Sequence, residues 1–459
     1  MRGELNLYDS REGRLKPVRS LRGDNTIRMY ICGPTVYDYS HIGHFKTFII
    51  YDSLVRLLKY LGYDVIHVVN ITDIDDKIIK RALEEGKTYR EISEEYTQDF
   101  INNWRALNLL PPYALPRATY HVRDMFRIIS KLIEKGYAYV SDGNVYFSVR
   151  KFKGYGEISK QKISDLIAGY RVEEGPGKKD PLDFALWKRV DDEPYWDSPW
   201  GRGRPGWHIE CTAMSTRFLD PPFEIHGGGE DLKFPHHENE RAQTNTFIDG
   251  EAVYIWMHVG ILKMNKEKMS KSLGNIVIIK DLIRNVHPDV VRILVLSTHY
   301  RKQSEYSEEK LIEAKNIYRS VKSTYQKLLR NGEGGNTMDV SKYRRRFLEA
   351  LLDDFNTAQA LNIFMSFVNE VDKNLVSGGL KTDSLTDAVK LFNEFIYIYG
   401  LRMDDLEIES EEIVKLLVEV RRELRKRKLY DVADRIREEL SRYGYVLEDI
   451  GEKTIFYRL

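Results

Sequence analysis

Cysteine is nearly absent from this sequence: among 459 residues only Cys32 and Cys211 carry thiols. Two thiols cannot staple a chain of this size, and a reducing compartment is where such a chain is expected. Long apolar runs are missing too. No stretch reaches the roughly 18 residues of a membrane helix, and Met1-Arg2-Gly3-Glu4 leads into no signal-like segment, so a cytoplasmic protein with no membrane partner is expected. Charge of one sign is also lacking. Lys plus Arg number 71 against 70 Asp plus Glu, a net charge of +1. The chain as a whole therefore exerts no pull on nucleic acid, and any such partner must meet a local basic face. Internal repeats and low-complexity tracts are absent, which sets solenoids and disordered tails aside.

What is present is a globular balance with extra charge. Hydrophobic residues make up 42%, and charged residues 31%, above the usual ~25%, a composition met in heat-stable proteins. The length predicts about three domains.

The stretch from Cys32 to His44 organises the chain. A β-rich segment, 26–31, runs into Cys32, then Gly33-Pro34, then His41-Ile42-Gly43-His44, which opens an apolar-periodic helix over 45–61. Strand, loop and helix N-terminus is how a fold offers unpaired N–H groups and a favourable dipole to phosphate. Residues 1–25 are polar and turn-rich, a lead-in or edge hairpin with no visible chemistry. A buried parallel strand is expected over 64–70, a helix N-cap signal at Thr72-x-x-Asp75, and a capping box, Thr88-x-x-Glu91, opening a helix to about Asn108. This alternation predicts the first half of a doubly wound α/β fold with a parallel sheet.

Pro111, Pro112 and Pro116 break the pattern. A helix over 119–135 closed by Gly136, a hairpin around Ser141-Asp142-Gly143-Asn144 and irregular chain over 173–181 mark an insertion that splits the α/β domain. The pattern resumes at Gly206, runs through Cys211 into a helix ending near Leu219, and continues with strands over 223–226 and 252–259. From 288 to 440 the chain reads as mostly helical, with a break at 331–336 and a small terminal hairpin over 444–447 and 454–457. The expected division is a first catalytic half over 1–111, the insertion over 112–200, a second catalytic half over 201–262, a Lys-rich loop and following region over 263–330, and a helical C-terminal region over 331–459.

Two constellations carry chemistry. His236 and Glu240 are four apart, so on a helix they share a face, and with Cys32 and Cys211 they make a donor set suited to tetrahedral zinc. Spacing alone leaves this open: each thiol could be a small buried hydrophobe, His236 a cap, and His237 or Glu238 a competing ligand. The second constellation is His41 and His44 around Gly43, joined by Lys268 and Lys271 in Lys268-Met269-Ser270-Lys271-Ser272. Imidazoles and ammonium groups placed so can stabilise a leaving pyrophosphate, although a Lys-rich loop on its own is more often solvated surface. Gly227-Gly228-Gly229 lets backbone approach a ligand closely.

His41-Ile42-Gly43-His44 and Lys268-Met269-Ser270-Lys271-Ser272 resemble the two signatures of class I aminoacyl-tRNA synthetases. Joined by Cys32, Cys211 and the stretch 234–240, the sequence from about Leu21 onward resembles the cysteinyl-tRNA synthetase family. The resemblance implies a Rossmann-type catalytic domain split by a connective insertion and followed by a helical anticodon-binding region. It implies one Zn2+ per chain on Cys32, Cys211, His236 and Glu240, holding the sulfur of the substrate L-cysteine, and Mg2+ arriving with ATP. His41, His44, Lys268 and Lys271 are then the catalytic groups. Gly43, Gly227, Gly228, Gly229, Asp231 and Lys271 lie at ATP, and Thr72, Trp207 and His226 line the cysteine pocket. Trp207 could instead simply pack, and Asp231 cap the next helix. The partner implied is tRNA(Cys), and a monomer is the family habit.

Toward the C-terminus, 415–442 holds 10 basic and 6 acidic residues, a helical face that reads either as solvated or, beside such a catalytic half, as a phosphate-contacting surface. Two rival readings follow from the same residues. One is a ligase that passes activated cysteine to an amino sugar; the other is a retired paralogue that only binds.

Overall fold

The computed structural model describes residues 3–162, 177–264, 267–268, 276–403, 410–442, 445–450 and 453–458. The chain opens with an antiparallel hairpin, β1 (Asn6–Asp9) and β2 (Arg14–Pro17), so the lead-in is structured. Then come β3 (Thr26–Ile31), α1 (Ile42–Tyr60), β4 (Asp64–Val69), α2 (Asp76–Glu85) and α3 (Tyr89–Ala106). The capping box at Thr88 and Glu91 forms as its spacing predicts. The cap of α2 is Asp75, whose side chain accepts from Lys77 N, and Thr72 takes no part in it. Thr72 lies three positions before Asp75, whose own backbone is still extended.

The insertion carries α4 (Val122–Glu134) and an antiparallel sheet of β5 (Ala138–Ser141), β6 (Asn144–Phe147), β7 (Phe184–Arg189), β8 (Trp196–Ser198) and β9 (Gly201–Pro205), in the order β5-β6-β7-β9-β8. Because β9 pairs with both β7 and β8, this sheet runs on past residue 200 to Pro205. The alternating Gly and Arg of Gly201-Arg202-Gly203-Arg204 hide the strand from propensity, since Gly203 is there to let Trp187 pack against the backbone.

The α/β layer resumes with α5 (Trp207–Leu219), β10 (Phe223–Gly229), α6 (Glu238–Ile248) and β11 (Val253–Val259). Its sheet is wholly parallel, in the order β11-β10-β3-β4. Both faces are covered, and β3, β10 and β11 are accordingly buried almost throughout. A small sheet follows, made of β12 (Leu262–Met264), β13 (Glu267–Lys268) and, after α7 (Ile279–Asn285) and α8 (Pro288–Leu296), β14 (Ser304–Tyr306).

The helical region comprises α9 (Glu308–Asn331), α10 (Ser341–Leu352), α11 (Thr357–Val376) and α12 (Thr382–Tyr399), with a short strand β15 (Glu333–Asn336) between α9 and α10. It is joined to α1 through Arg292 on α8, fully buried, which donates to Asp52 at 2.5 Å and to the carbonyls of Leu107 and Tyr399. Residues 1–402 form one compact unit and 403–459 another. The second has its own small core of Val414, Val418, Leu440, Tyr445 and Leu447, built by α13 (Ser410–Lys426), α14 (Tyr430–Arg442) and the hairpin β16 (Tyr445–Ile450) and β17 (Lys453–Arg458). Among the described residues no helix is long and apolar enough to cross a membrane.

Candidate active site and metal centre

The site lies where β3 and β10 run side by side. Tyr30 faces His226, Ile31 faces Gly227, and the ladder closes with Cys32 N donating to Gly227 O at 3.0 Å. From this pair the chain winds outward to β4 on one side and to β11 on the other, the switch point where open α/β sheets bind ligands. Sheet pairing thus delivers Cys32 to the crevice.

Three further side chains meet it there. Cys211 comes from the second turn of α5, with its Sγ 3.9 Å from Cys32 Sγ. Glu240 comes from the first turn of α6 and brings Oε1 to 3.4 Å from the same sulfur. His236 lies in the turn before α6, yet the helical backbone carries through the junction, and its Nε2 sits 2.9 Å from Glu240 Oε1. The four ligating atoms all fall within 4.8 Å of one another, and all four residues are buried.

His237 is also within reach, at 3.4 Å from Cys32 Sγ, and with His226 it makes a second possible set on Cys32 and Glu240. That set holds one thiol where the first holds two. Glu238, indistinguishable by spacing, is turned away and accepts from Ile158 N and Ser159 N at 2.7 and 2.8 Å.

The electrostatics call for a cation. Burial pushes the Cys32 thiol and the Glu240 carboxyl well up, while Cys211 is drawn down by the hydrogen bond it accepts from Cys32. Glu240 Oε2 is buried with no hydrogen-bond partner. A thiol and a carboxyl that burial keeps protonated, beside a second thiol drawn toward its thiolate, give up their protons to a divalent ion, and two soft sulfurs, one imidazole and one carboxylate are donors that suit zinc. The residues present fit that ion.

Around the cluster stand imidazoles held neutral by burial: His208, His226, His237 and His258. His236 Nδ1 is 2.9 Å from His208 Nδ1, His237 Nδ1 is 2.7 Å from His258 Nε2, and His258 Nδ1 reaches Ser10 Oγ at 2.8 Å. The N-terminal hairpin therefore does reach the site, against the expectation of a lead-in without chemistry. His208, His258 and Ser10 carry no spacing signal that sequence reasoning could have used.

Of the expected pocket residues, His226 lies with Nε2 3.5 Å from Cys32 Sγ and its ring stacked 4.5 Å from Trp256. Trp207 opens α5, 37% exposed, with its ring 4.3 Å from His236. Thr72 is buried beside Thr35 and accepts from Asn70 Nδ2 at 3.2 Å. Asp231 sits in the turn after β10, curled against Gly229. The space vacated by the glycines is taken by protein: a Cβ on Gly227 would lie 2.0 Å from the Tyr51 hydroxyl, which donates to Met257 O and accepts from Gly228 N. Tyr51, from the middle of α1, is a residue that periodicity reads only as core.

At the phosphate end, His41 is the N-cap of α1, and its Nδ1 accepts from His44 N at 3.3 Å. The two rings stack 3.6 Å apart at the helix N-terminus, and the ring of His41 fills the space beside Gly43. Lys268 lies on β13, paired with Lys263 of β12. Lys271 and residues 269–275 lie outside the described residues.

Comparison with known proteins adds three findings. The family model described as "tRNA synthetases class I (C) catalytic domain" matches residues 19–316, and the DALR domain matches residues 346–403. Cysteine-tRNA ligase of Thermococcus gammatolerans is 45% identical, covering 95% of each chain, and that of Archaeoglobus fulgidus is 41% identical over 98% of this chain and 99% of its own. A Mycobacterium tuberculosis methionyl-tRNA synthetase in complex with methionyl-adenylate shares the fold, with a TM-score of 0.61 at 16% identity over 86% of this chain and 94% of that one.

Proposed function

The chain belongs to the cysteinyl-tRNA synthetase family of class I, and from that premise we propose how its residues activate L-cysteine with ATP and transfer it to tRNA(Cys). Cys32, Cys211, His236 and Glu240 would hold a zinc ion. When bound there, zinc supplies a soft Lewis acid that takes a thiolate and refuses the hydroxyl of serine. A discrimination of that kind removes the need for editing, because apolar contacts separate near-isosteres by only about 1–3 kcal/mol.

This chain's own groups do the rest. Trp207, His226 and Thr72 enclose the amino acid, with its carboxylate turned toward the α-phosphate of Mg-ATP. A carboxylate oxygen attacks that phosphorus, the bond to the β-phosphate oxygen breaks, and pyrophosphate leaves. No side chain acts as nucleophile. His41 and His44 at the positive end of α1, together with Lys268 and Lys271, stabilise the charge that grows on the transferring and leaving phosphates. Gly227, Gly228, Gly229 and Asp231 border the adenylate. A terminal ribose hydroxyl of tRNA then takes the acyl group and AMP departs. The insertion, 112–200, covers the acceptor end, while 263–330 contacts the stem and 331–459 the anticodon arm. The enzyme works as a cytoplasmic monomer.

The observation that carries this reading is the convergence of two thiols, one imidazole and one carboxylate on the end of the strand whose next helix begins with His41. The amino-sugar ligase is not favoured, since the relatives matched over nearly the whole chain are cysteine-tRNA ligases. Aminoacylation decides it. Purified enzyme should charge tRNA bearing a cysteine anticodon with cysteine and not serine; charging of an amino sugar in place of tRNA would move the assignment to the ligase.

A further inference from the structure

Lys46 is an anomaly in α1. Its neighbours Phe45 and Phe48 are buried, and Lys46, one turn beyond Ile42, is itself only 1% exposed. Its Nζ donates to Gly260 O at 2.5 Å and to Lys302 O at 3.2 Å. Burial pulls the ammonium down to about 8, against the opposing pull of the Glu230 carboxylate. A buried cation that answers mainly to backbone carbonyls is a poor way to gain stability.

Its two acceptors say what it holds. Gly260 ends β11 and leads into β12, and Lys302 leads into β14; β12 and β14 pair in parallel, with Leu262 opposite Ser304 and Met264 opposite Tyr306. The two segments cross so closely that a Cβ on Gly260 would lie 2.5 Å from Lys302 O. Both carbonyls at this crossing converge on one ammonium. Further on, the same helix holds the chain again. Ile42 N donates to Val277 O, Ile279 N donates to Ser40 O, and His41 pairs with Ile278. α1 therefore fastens the chain at Gly260 through the Lys46 side chain, and again at Val277 through the backbone N–H of Ile42 at its N-terminus.

We propose that Lys46 is a positioning residue for adenylate formation: its ammonium, seated between the Gly260 and Lys302 carbonyls, sets the β12–β13 hairpin that carries Lys268 against the helix that carries His41 and His44. This rests on the roles given above to His41, His44 and Lys268. The spacing between the two imidazoles and Lys268 is what the transferring phosphate experiences, and a misplacement of about 1 Å can cost up to about a hundredfold in rate.

The test compares wild type, Lys46→Met and Lys46→Arg in cysteine-dependent ATP-pyrophosphate exchange, with thermal melts and zinc content measured alongside. Lys46→Met should lose about tenfold or more in kcat or in ATP KM, with cysteine KM and zinc content unchanged, and Lys46→Arg should recover most of the loss, because a guanidinium can span two carbonyls. A folded Lys46→Met enzyme with wild-type kcat and ATP KM, or a loss that Lys46→Arg does not repair, would overturn the proposal. If Lys46→Met does not fold, Lys46→Gln takes its place with the same two outcomes. Absence of exchange in the wild type would overturn both this role and the function beneath it, whereas exchange that is indifferent to Lys46 overturns this role alone.

Discussion

His67 shows how a single buried side chain sets a pH limit on this protein. It stands on β4, 4% exposed, with its ring 6.3 Å from Trp104 and its Nε2 unpartnered. Burial pulls its pKa down to about 4. In the unfolded chain the same imidazole takes a proton near 6.5, so between pH 6.5 and 4 the unfolded state binds a proton that the folded state refuses. Stability is therefore intact above that window and falls through it, by about 3 kcal/mol at its lower edge. Denaturant midpoints at pH 7 and pH 4.5 should show wild type losing more than His67→Gln; equal losses in both would remove His67 as the cause. Lys46, His67 and Tyr51 all lie at positions where helix or strand periodicity predicts burial. Periodicity reports which face is covered and says nothing of which polar group on that face finds two carbonyls, an aromatic wall or a glycine.

Among elements, three meet at the metal cluster: the end of β3, the second turn of α5, and the turn leading into α6. His208 on α5 ties to His236 in the turn before α6, whereas Glu238 and Asn239 at the start of α6 are committed to the insertion, through residues 158 and 159 and Tyr155. Removing the ion should consequently loosen α6 from β3. Purified protein is expected to hold about one zinc per chain. A strong chelator should lower its melting temperature and speed hydrogen exchange in 236–248, and Cys211→Ala should lose the ion. Zinc retained by Cys211→Ala would take Cys211 out of the site. At this scale the sequence was most readable where signals are local. The limits of β3, the capping box at Thr88, the turn at Asp142-Gly143 and the position of His41 at a helix start all follow from neighbours in the chain. The end of the insertion was less readable, since β9 is recognisable only by its partners β7 and β8. Glu238 could be told from Glu240 only once the insertion was packed beside it.

The whole molecule divides at residue 402, and its two units have unequal tasks. The four ligands, His41, His44 and Lys46 all belong to the first. The second keeps a small core under a surface rich in Arg and Lys, with phosphate contacts expected to position tRNA and not to touch ATP. A chain ending at 402 should retain cysteine-dependent pyrophosphate exchange within a few fold and lose most of its tRNA charging. Undiminished charging would deny 403–459 a part in tRNA binding. The candidate metal site, by contrast, needs every level at once: residue chemistry makes it conceivable, and the pairing of β3 with β10 across the insertion helps bring its four donors together.

That pairing also puts the site on a clock. Cys32 and Glu240 stand 208 positions apart, and a ribosome adding about 5–20 residues each second separates their appearance by roughly 10–40 s. Until Cys211 emerges, 179 positions later, Cys32 is a lone thiol on an unfinished sheet, open to oxidants and to passing metals. The last donor to emerge, Glu240, decides when the four donors can close around an ion, so a metal can settle here only late in the birth of this enzyme.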